Sequence, residues 1–369
     1  MQDLPDDLSR FDHDLVLVLS KDRRKLSLKE AVDIIRLESG EQVNLETVIA
    51  EGRNPLEWIQ PKALWKFDHA TRRGVHYAVI PDEHGSFVLS AWSTEHRGVF
   101  HLAATVPVTD PRWKKVERWI GRATPNLVPC FLNHADFADI GAALANLGEA
   151  EVSRLTARSL LDQSSTTRGW KSRSDSLRPT PIDAIGEAEA NHTSVRTMTI
   201  RVGDILNVHL RRLAGATFYS GRFEVFEAEV LTRLAAAVAS RRNLMGNRQR
   251  RIGAPMGAPI SIKLPGPFLG AEIDTGEVLS TLEEFSQTSI AVLHRNPYLH
   301  VVVTDYSDGS NFDVFVTDPE TIEIYPGYRA SLGSLTRLSQ RLGERFLATD
   351  IREAADEPVV NLSDLVASR

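Results

Sequence analysis

Two segments of the chain alternate apolar and polar residues as half-buried strands do. The first contains "VHYAVIP", "SFVLSAWS" and "VFHLAATVPV", separated by turn sequences. The second contains "LHVVVTD", "NFDVFVTD" and "TIEIYPG", with Asp308-Gly309 between the first two. A period of two that is bounded by turn residues predicts antiparallel strands. Each segment is therefore predicted to form a three-stranded meander.

A helix pattern follows each meander. Asp110 and Pro111 supply an N-cap and a first-turn proline for "RWKKVERWIG". The apolar positions of this helix share one face and are Trp113, Val116 and Ile120. The helix after the second meander has an apolar stripe of Leu335, Leu338, Leu342 and Phe346. The repeated β-β-β-α order indicates either an internal duplication or two independent uses of a common unit.

The remaining segments give weaker patterns. The N-terminal stretch 13–20 alternates and predicts a strand. A capping box at Ser27 predicts a helix that ends at Gly40. Further helices are predicted from Asn44, over 136–147, 149–162 and 203–214, and over the Ala-rich stretch 223–246. The polar stretch "QSSTTRGWKSRSDSLRPTP" predicts a linker.

These elements predict an α+β protein with two antiparallel meander-plus-helix units joined by a helical, arginine-rich middle. A chain of 369 residues is too long for one ordinary core, so several domains are expected. The predicted segments are a small α/β N-terminal element at 1–60, a first meander-plus-helix domain at 61–162, a polar linker at 163–195, a helical basic connector at 196–258 and a second meander-plus-helix domain at 259–369.

Composition narrows the class of protein. The hydrophobic share of 42% and the charged share of 25% are those of a globular chain. Cys130 is the single cysteine, which excludes an intramolecular disulfide and predicts a reducing, cytoplasmic setting. The acidic N-terminal stretch lacks the pattern of a secretory signal, and no apolar run is long enough to span a membrane. No membrane association is expected.

Charge is distributed unevenly along the chain. Residues 192–260 contain eleven arginines, no lysine and four acidic residues, a formal charge of +7, although the whole chain carries −6. Such a chain suits an anionic partner, or else its basic middle docks on its own acidic flanks.

Arginine clusters are the predicted binding residues. Guanidinium groups hold phosphate oxygens in bidentate fashion, and clustered cations are relieved by phosphates. The first cluster lies at a helix end that leads into a Gly-rich stretch, and the second is a stripe with a spacing of four. The predicted nucleic-acid-binding residues are Arg241, Arg242, Arg248, Arg250 and Arg251 in the first, and Arg337, Arg341 and Arg345 in the second. A solvated basic face, or salt bridges within the chain, explains the same pattern without a ligand.

Sequence motifs of catalysis are missing. The chain has no phosphate-binding loop, dinucleotide fingerprint, H-E-x-x-H or G-x-S-x-G, so no catalytic residue and no cofactor are predicted. Asp305, Asp308 and Asp313 come close together in the predicted hairpin and would suit a hard cation if they converged. Asp308-Gly309 is also ordinary turn chemistry.

The sequence therefore favours a nucleic-acid-associated accessory or binding protein that holds the phosphate backbone of DNA or RNA. One alternative is a protein–protein interaction or scaffold subunit of a larger complex, or a homo-oligomer, that packs through the 223–246 helix with Leu231, Leu234 and Val238. The other alternative is a metal-dependent hydrolase or nuclease that uses Asp305 and Asp313.

Overall fold

The structure is a computed structural model, and it divides into two compact units, Met1–Asn243 (unit 1) and Leu244–Arg369 (unit 2). The residues that it describes are 5–21, 42–50, 55–59, 66–68, 75–159, 164–169, 178–248, 250, 252, 258–264, 275–346, 348 and 350–354. Among these residues, no helix is both long and apolar enough to cross a bilayer.

Unit 1 is built on one large antiparallel sheet. Its strands are β1 (Val43–Ala50), β2 (Lys66–Asp68), β3 (Val75–Ile80), β4 (Phe87–Ser93), β5 (Val99–Ala104), β6 (Leu127–Pro129), β7 (Ala150–Ser159), β8 (Ser165–Gly169), β9 (Thr193–Val202), β10 (Leu206–Arg211) and β11 (Gly215–Gly221). Their spatial order is β2-β3-β4-β5-β1-β11-β10-β9-β7-β8, and β6 pairs with β1. Because β7 pairs directly with β9, one sheet continues across the predicted linker at 163–195.

Helices cover the sheet of unit 1. They are α1 (Arg10–Lys21), α2 (Leu56–Ile59), α3 (Pro111–Arg122), α4 (His134–Ala145) and α5 (Pro181–Ala190). A last helical segment, α6, comprises Phe223–Val225, a π-helical stretch Phe226–Leu231 and Thr232–Met245. The predicted N-cap at Asp110 forms, since its side chain accepts from the backbone N–H of Arg112 at the start of α3.

The buried side chains of α2 and α3 pack on the half of the sheet that contains β1, β3, β4 and β5. Trp113, Val116 and Ile120 belong to one apolar cluster with residues of these strands. The opposite face of the sheet receives α1, where Asp12 accepts hydrogen bonds from the Val88 amide (3.1 Å) and the Thr105 hydroxyl (2.7 Å). Strands β1, β4 and β5 are thus buried on both sides.

The apolar face of α6 is buried within unit 1. Leu231 is 2% exposed, and Leu234 and Val238 are fully buried. The face of this helix that was predicted to pack against a partner protein is therefore buried in the core of unit 1.

Unit 2 is an antiparallel sheet with two helices. Its strands are β12 (Ile260–Lys263), β13 (Thr288–His294), β14 (Leu299–Asp305), β15 (Ser310–Asp318), β16 (Thr321–Pro326) and β17 (Asp350–Glu353), in the order β13-β14-β15-β16-β12-β17. The helices are α7 (Thr275–Glu283) and α8 (Leu332–Arg345). The apolar stripe of α8 is buried, as predicted.

The α+β class and both meander-plus-helix orders are confirmed, in β3-β4-β5-α3 and in β14-β15-β16-α8. Internal duplication stays a prediction. The helix predicted from Ser27 to Gly40 lies outside the described residues.

Four element predictions are wrong. Residues 13–20 belong to helix α1. The segment from Asn44 is strand β1, in which the polar residues Asn44, Glu46 and Thr47 are buried along with the apolar ones. Residues 149–162 contain strand β7, where register shifts at Val152/Arg154 and Thr156/Ala157 interrupt the period of two. Residues 203–214 form turns around strand β10 rather than a helix.

Candidate phosphate-binding surface

Arg241 is neutralised inside unit 1. Its guanidinium donates to both carboxylate oxygens of Asp136 and, at 3.0 Å, to the carbonyl of Ala237, and it lies 5.0 Å from the centre of the Phe131 ring. Only 9% of the side chain is exposed. Asp136 also closes the capping box of α4 with Asn133, so Arg241 joins α6 to the start of α4. Arg241, one of the predicted phosphate-binding residues, is therefore mostly buried and paired with a carboxylate.

The other arginines of the first cluster differ in exposure. Arg248 donates to Glu353 (3.0 Å) and to the carbonyl of Ala258 (3.0 Å). Arg242 packs on Gly98, where a Cβ atom would lie 3.2 Å from its Nε. Arg250 is exposed, with its guanidinium 5.2 Å from the centre of the Tyr328 ring. Arg251 lies outside the described residues.

The second cluster is a set of ion pairs. Arg337 bonds Asp305 at 2.6 Å, while Arg341 and Arg345 bond Glu284 and Glu277. The three arginines, spaced by four along α8, therefore each face a carboxylate. These carboxylates lie in the hairpin, just after α7 and within α7, respectively. Five of the seven described candidates, Arg241, Arg248, Arg337, Arg341 and Arg345, pair with a carboxylate of their own unit.

Asp305 and Asp313 face opposite sides of the sheet in unit 2. Burial raises the pKa of Asp305, but hydrogen bonds from Ser307, Arg337 and Ser334 outweigh it and hold the pKa below its ordinary value. Asp313 instead bonds His300 at 2.7 Å, on the side of β15 away from the buried residues. The structure therefore does not bring together the two carboxylates that were expected to share a metal.

A group of possible metal ligands in the described part of the chain lies in the turn between β3 and β4. It consists of Asp82, Glu83 and His84. The Asp82 carboxylate already accepts from Lys115 at 2.5 Å and from the backbone N–H of His84 at 3.0 Å. A lysine cation thus occupies the place that a metal cation would take.

A third group of cations was not predicted and lies on one face of β7, β9, β10 and β11. Cross-strand pairing places Arg154 opposite Thr199, Thr199 opposite His209, and His209 opposite Thr217. We call this surface the polar sheet face. Its residues are Arg154 and Thr156 from β7, Thr197, Thr199 and Arg201 from β9, Asn207, His209 and Arg211 from β10, and Thr217 from β11.

The polar sheet face is open to solvent over much of its area. Arg154 and Arg201 are exposed, and Thr156, Thr199 and His209 are partly exposed. The alternate positions of the same strands point to the other side and are buried, for example Met198, Ile200, Val208 and Leu210. Helices α4 and α5 contact β7 and β9. We infer that they cover that buried, apolar side.

Arg211 is held rigidly at one end of this face. Its guanidinium donates to the Thr217 hydroxyl (2.7 Å) and to the Leu45 carbonyl (2.6 Å), and it lies 5.6 Å from the centre of the Trp113 ring. Gly215 makes room for it, because a Cβ atom there would be 2.7 Å from an Nη atom. The cation is thus fixed by the fold without a carboxylate in direct contact among the described residues.

The pKa of His209 reflects the positive charges on the polar sheet face. Burial, together with the charges of Arg211 and Arg154, lowers its pKa to about 4. The neutral imidazole shares a hydrogen bond of 2.9 Å with Thr199. Cations on neighbouring strands therefore act on the same point, which is the arrangement that attracts an anion.

Carboxylates near the polar sheet face offset part of this charge, since Glu151 lies opposite Arg201 and the charges of Glu46 and Glu117 act on Arg211. Glu151 is already paired with Arg178. Asp204 is fully exposed and is 3.4 Å from Arg201, a geometry that contributes little in water. Glu46 on β1 is buried, and burial raises its pKa to about 7, an effect that Arg211 opposes and Glu117 reinforces.

The sequence contained a signal for this surface. "TMTIRV" and "LNVHLR" alternate with a period of two and place the cations at the polar positions. The helix predicted over 203–214 has a period of 3.6 and does not place Asn207, His209 and Arg211 on one face. That assignment concealed the common face.

A scan against protein-family models gives no match to the chain, and a search of curated proteins gives none either. The chemistry of the polar sheet face is therefore the basis for a functional proposal.

Proposed function

We propose that the protein binds nucleic acid without catalysis and holds the phosphate backbone on the polar sheet face of unit 1. The observation that supports this best is the presence of Arg154, Arg201 and Arg211 on one partly exposed face of three adjacent strands. The proposal assigns no catalytic residue, metal or cofactor, and it retains the cytoplasmic setting expected from the single cysteine.

The dimensions of the face suit several phosphates at once. Strands β7 and β10 are separated by β9, so Arg154 and Arg211 lie on strands about 10 Å apart. Guanidinium groups at this separation contact different phosphates of one chain. The hydroxyls of Thr156 and Thr199 lie between the cations and supply hydrogen bonds that do not depend on base sequence.

An aromatic ring adjoins the cations. Tyr219 is 37% exposed, and its ring centre lies 6.3 Å from that of His209. Bases of single strands stack on exposed aromatic rings next to a basic groove. This favours single-stranded over duplex nucleic acid within the proposal.

Only two of the arginines predicted from the sequence remain candidates for phosphate binding. Arg242 and Arg250 remain candidates for phosphate contacts, because they are at least partly exposed. Arg241, Arg248, Arg337, Arg341 and Arg345 are assigned to stability, since a phosphate would have to displace a carboxylate from each.

Fluorescence anisotropy with labelled single-stranded DNA and RNA tests the proposal. We expect binding at about 50 mM salt that weakens steeply as salt is raised, with a slope that reports the number of phosphates contacted. Arg154→Glu and Arg201→Glu should each weaken binding at least about tenfold. Arg118→Glu, an exposed arginine on α3 with the same charge change, is the matched control and should have little effect.

Two results would remove the proposal. One is the lack of binding by the folded protein at low salt. The other is equal loss of affinity in Arg154→Glu, Arg201→Glu and Arg118→Glu, which would show that net charge matters and the polar sheet face does not.

A protein-interaction role is the second candidate. The observation that favours it is an apolar strand at one edge of the unit 2 sheet.

A further inference from the structure

Strand β13 ends the sheet of unit 2. In the described part of the chain it pairs with β14 on one side and with no strand on the other. Its apolar side chains are unusually accessible, since Val292 is 38% and Leu293 is 59% exposed. An edge strand presents free backbone N–H and C=O groups, so an accessible apolar edge is suited to pairing with another strand.

The other sheet-end strands of this protein carry charges. Strand β2 contains Lys66 and Asp68, β8 contains Arg168, and β17 contains Asp350, Arg352 and Glu353. Strand β13, with the sequence TSIAVLH, contains no lysine, arginine, acidic residue or proline. Charges and prolines are the usual means of preventing edge-to-edge association. Among the sheet-end strands of the described residues, β2, β8 and β17 contain such charges and β13 does not.

A register shift limits the regular part of the edge. The pairing of β13 with β14 shifts between Val292 and His294, so Leu293 is the extra residue. The regular stretch therefore runs from Thr288 to Val292. Leu293 directs an exposed apolar side chain to the end of that stretch.

The residues that flank β13 carry opposite charges at its two ends, so two copies of the strand are complementary in antiparallel orientation. Glu283 and Glu284 precede the strand and Arg295 follows it. All three are exposed, and Glu284 is also paired with Arg341. Antiparallel pairing of two copies brings the basic end of each strand to the acidic end of the other, whereas parallel pairing places like charges together. The flanks thus favour a second copy of this chain in antiparallel orientation.

We propose that two copies of the protein associate through antiparallel pairing of their β13 strands about a two-fold axis. With the axis at Ile290, Thr288 lies opposite Val292 of the other copy. Arg295 then comes near the end of the other copy's strand that Glu283 and Glu284 precede. The two six-stranded sheets become one continuous sheet. Tyr306, which is 66% exposed and bonds Ser289 at 2.8 Å, lies beside the new seam.

Light scattering on the purified protein tests this association. Over a range from about 1 to about 100 µM, the mass should rise toward twice the 41.0 kDa of one chain. Ala291→Lys places a cation in the middle of the regular stretch, at an exposed position, and should keep the protein monomeric over the same range.

A charge exchange provides a second test that leaves the strand itself intact. Arg295→Glu should weaken the dimer about tenfold because acids then meet acids, and adding Glu283→Arg should restore most of the loss. Arg352→Glu on β17 is the matched control and should change nothing. Circular dichroism checks that each variant is folded.

A protein that stays monomeric at the highest concentration overturns the inference. So does a dimer that persists in folded Ala291→Lys and is unaffected by Arg295→Glu. The inference is independent of nucleic-acid binding, because Arg154→Glu and Arg201→Glu lie in unit 1 and should leave the mass unchanged.

Discussion

Arg241 and Asp136 form an ion pair across 105 residues of sequence, and it connects α6 to the capped start of α4. The Phe131 ring lies 5.0 Å from the guanidinium, so the pair is largely shielded from water. Breaking a buried pair by removing one partner leaves an uncompensated charge.

Arg241→Met should therefore lower the free energy of unfolding by about 2–4 kcal/mol. Urea denaturation is the measurement, and Arg118→Met on the exposed surface of α3 should change stability by less than about 0.5 kcal/mol. If Arg241→Met is as stable as the control, the ion pair does not stabilise the fold, and Arg241 is again a candidate for phosphate binding.

Glu46 makes stability depend on pH. Its pKa is about 7 in the folded protein because of burial, against 4.5 ordinarily. The folded state therefore keeps a proton that the unfolded state loses, so stability falls as pH rises from 4.5 to about 7. A shift of this size corresponds to about 3 kcal/mol.

The measurement for Glu46 is the difference in unfolding free energy between Glu46→Gln and the natural protein at several pH values. The difference should grow in favour of Glu46→Gln between pH 5 and pH 8 and then level off. A difference that does not change with pH would mean that Glu46 titrates normally.

Two glycines should respond in opposite ways to alanine. Gly221 has φ +110, and a Cβ atom there would lie 2.8 Å from the Cα of Leu206. Gly186 is in α5 and has open space around it. Gly221→Ala should lower the unfolding free energy by more than about 2 kcal/mol, whereas Gly186→Ala should raise it by about 0.5–1 kcal/mol.

Thermal and urea unfolding of both glycine variants provide the comparison. Because the same side chain is added in each, the difference isolates the local backbone and its surroundings. Equal effects at the two positions would contradict the tight turn between β11 and α6.

Local patterns explain the predictions that succeeded. The meander strands β3, β4, β14 and β15 each alternate or are bounded by turn residues, and Asp110 and Pro111 start α3. Nearest neighbours in the chain determine turns and caps, so these features are readable without knowledge of the fold.

Predictions failed where burial or pairing overrode the local pattern. Strand β1 is buried on both faces, and β7 contains two register shifts. Neither strand shows a regular period of two along its whole length. The polar sheet face was missed for a related reason, since its cations come from three strands and share a face only after those strands pair.

Sequence alone determined the α+β class, the meander-plus-helix order and the excess of arginine in the middle of the chain. Tertiary structure alone decided which arginines are neutralised. Arg241 and Arg248 meet carboxylates 105 residues away, whereas Arg154 and Arg201 come together on an open face. The physical reason is that a cation's availability depends on the charges within a few ångströms of it, and the fold sets those distances.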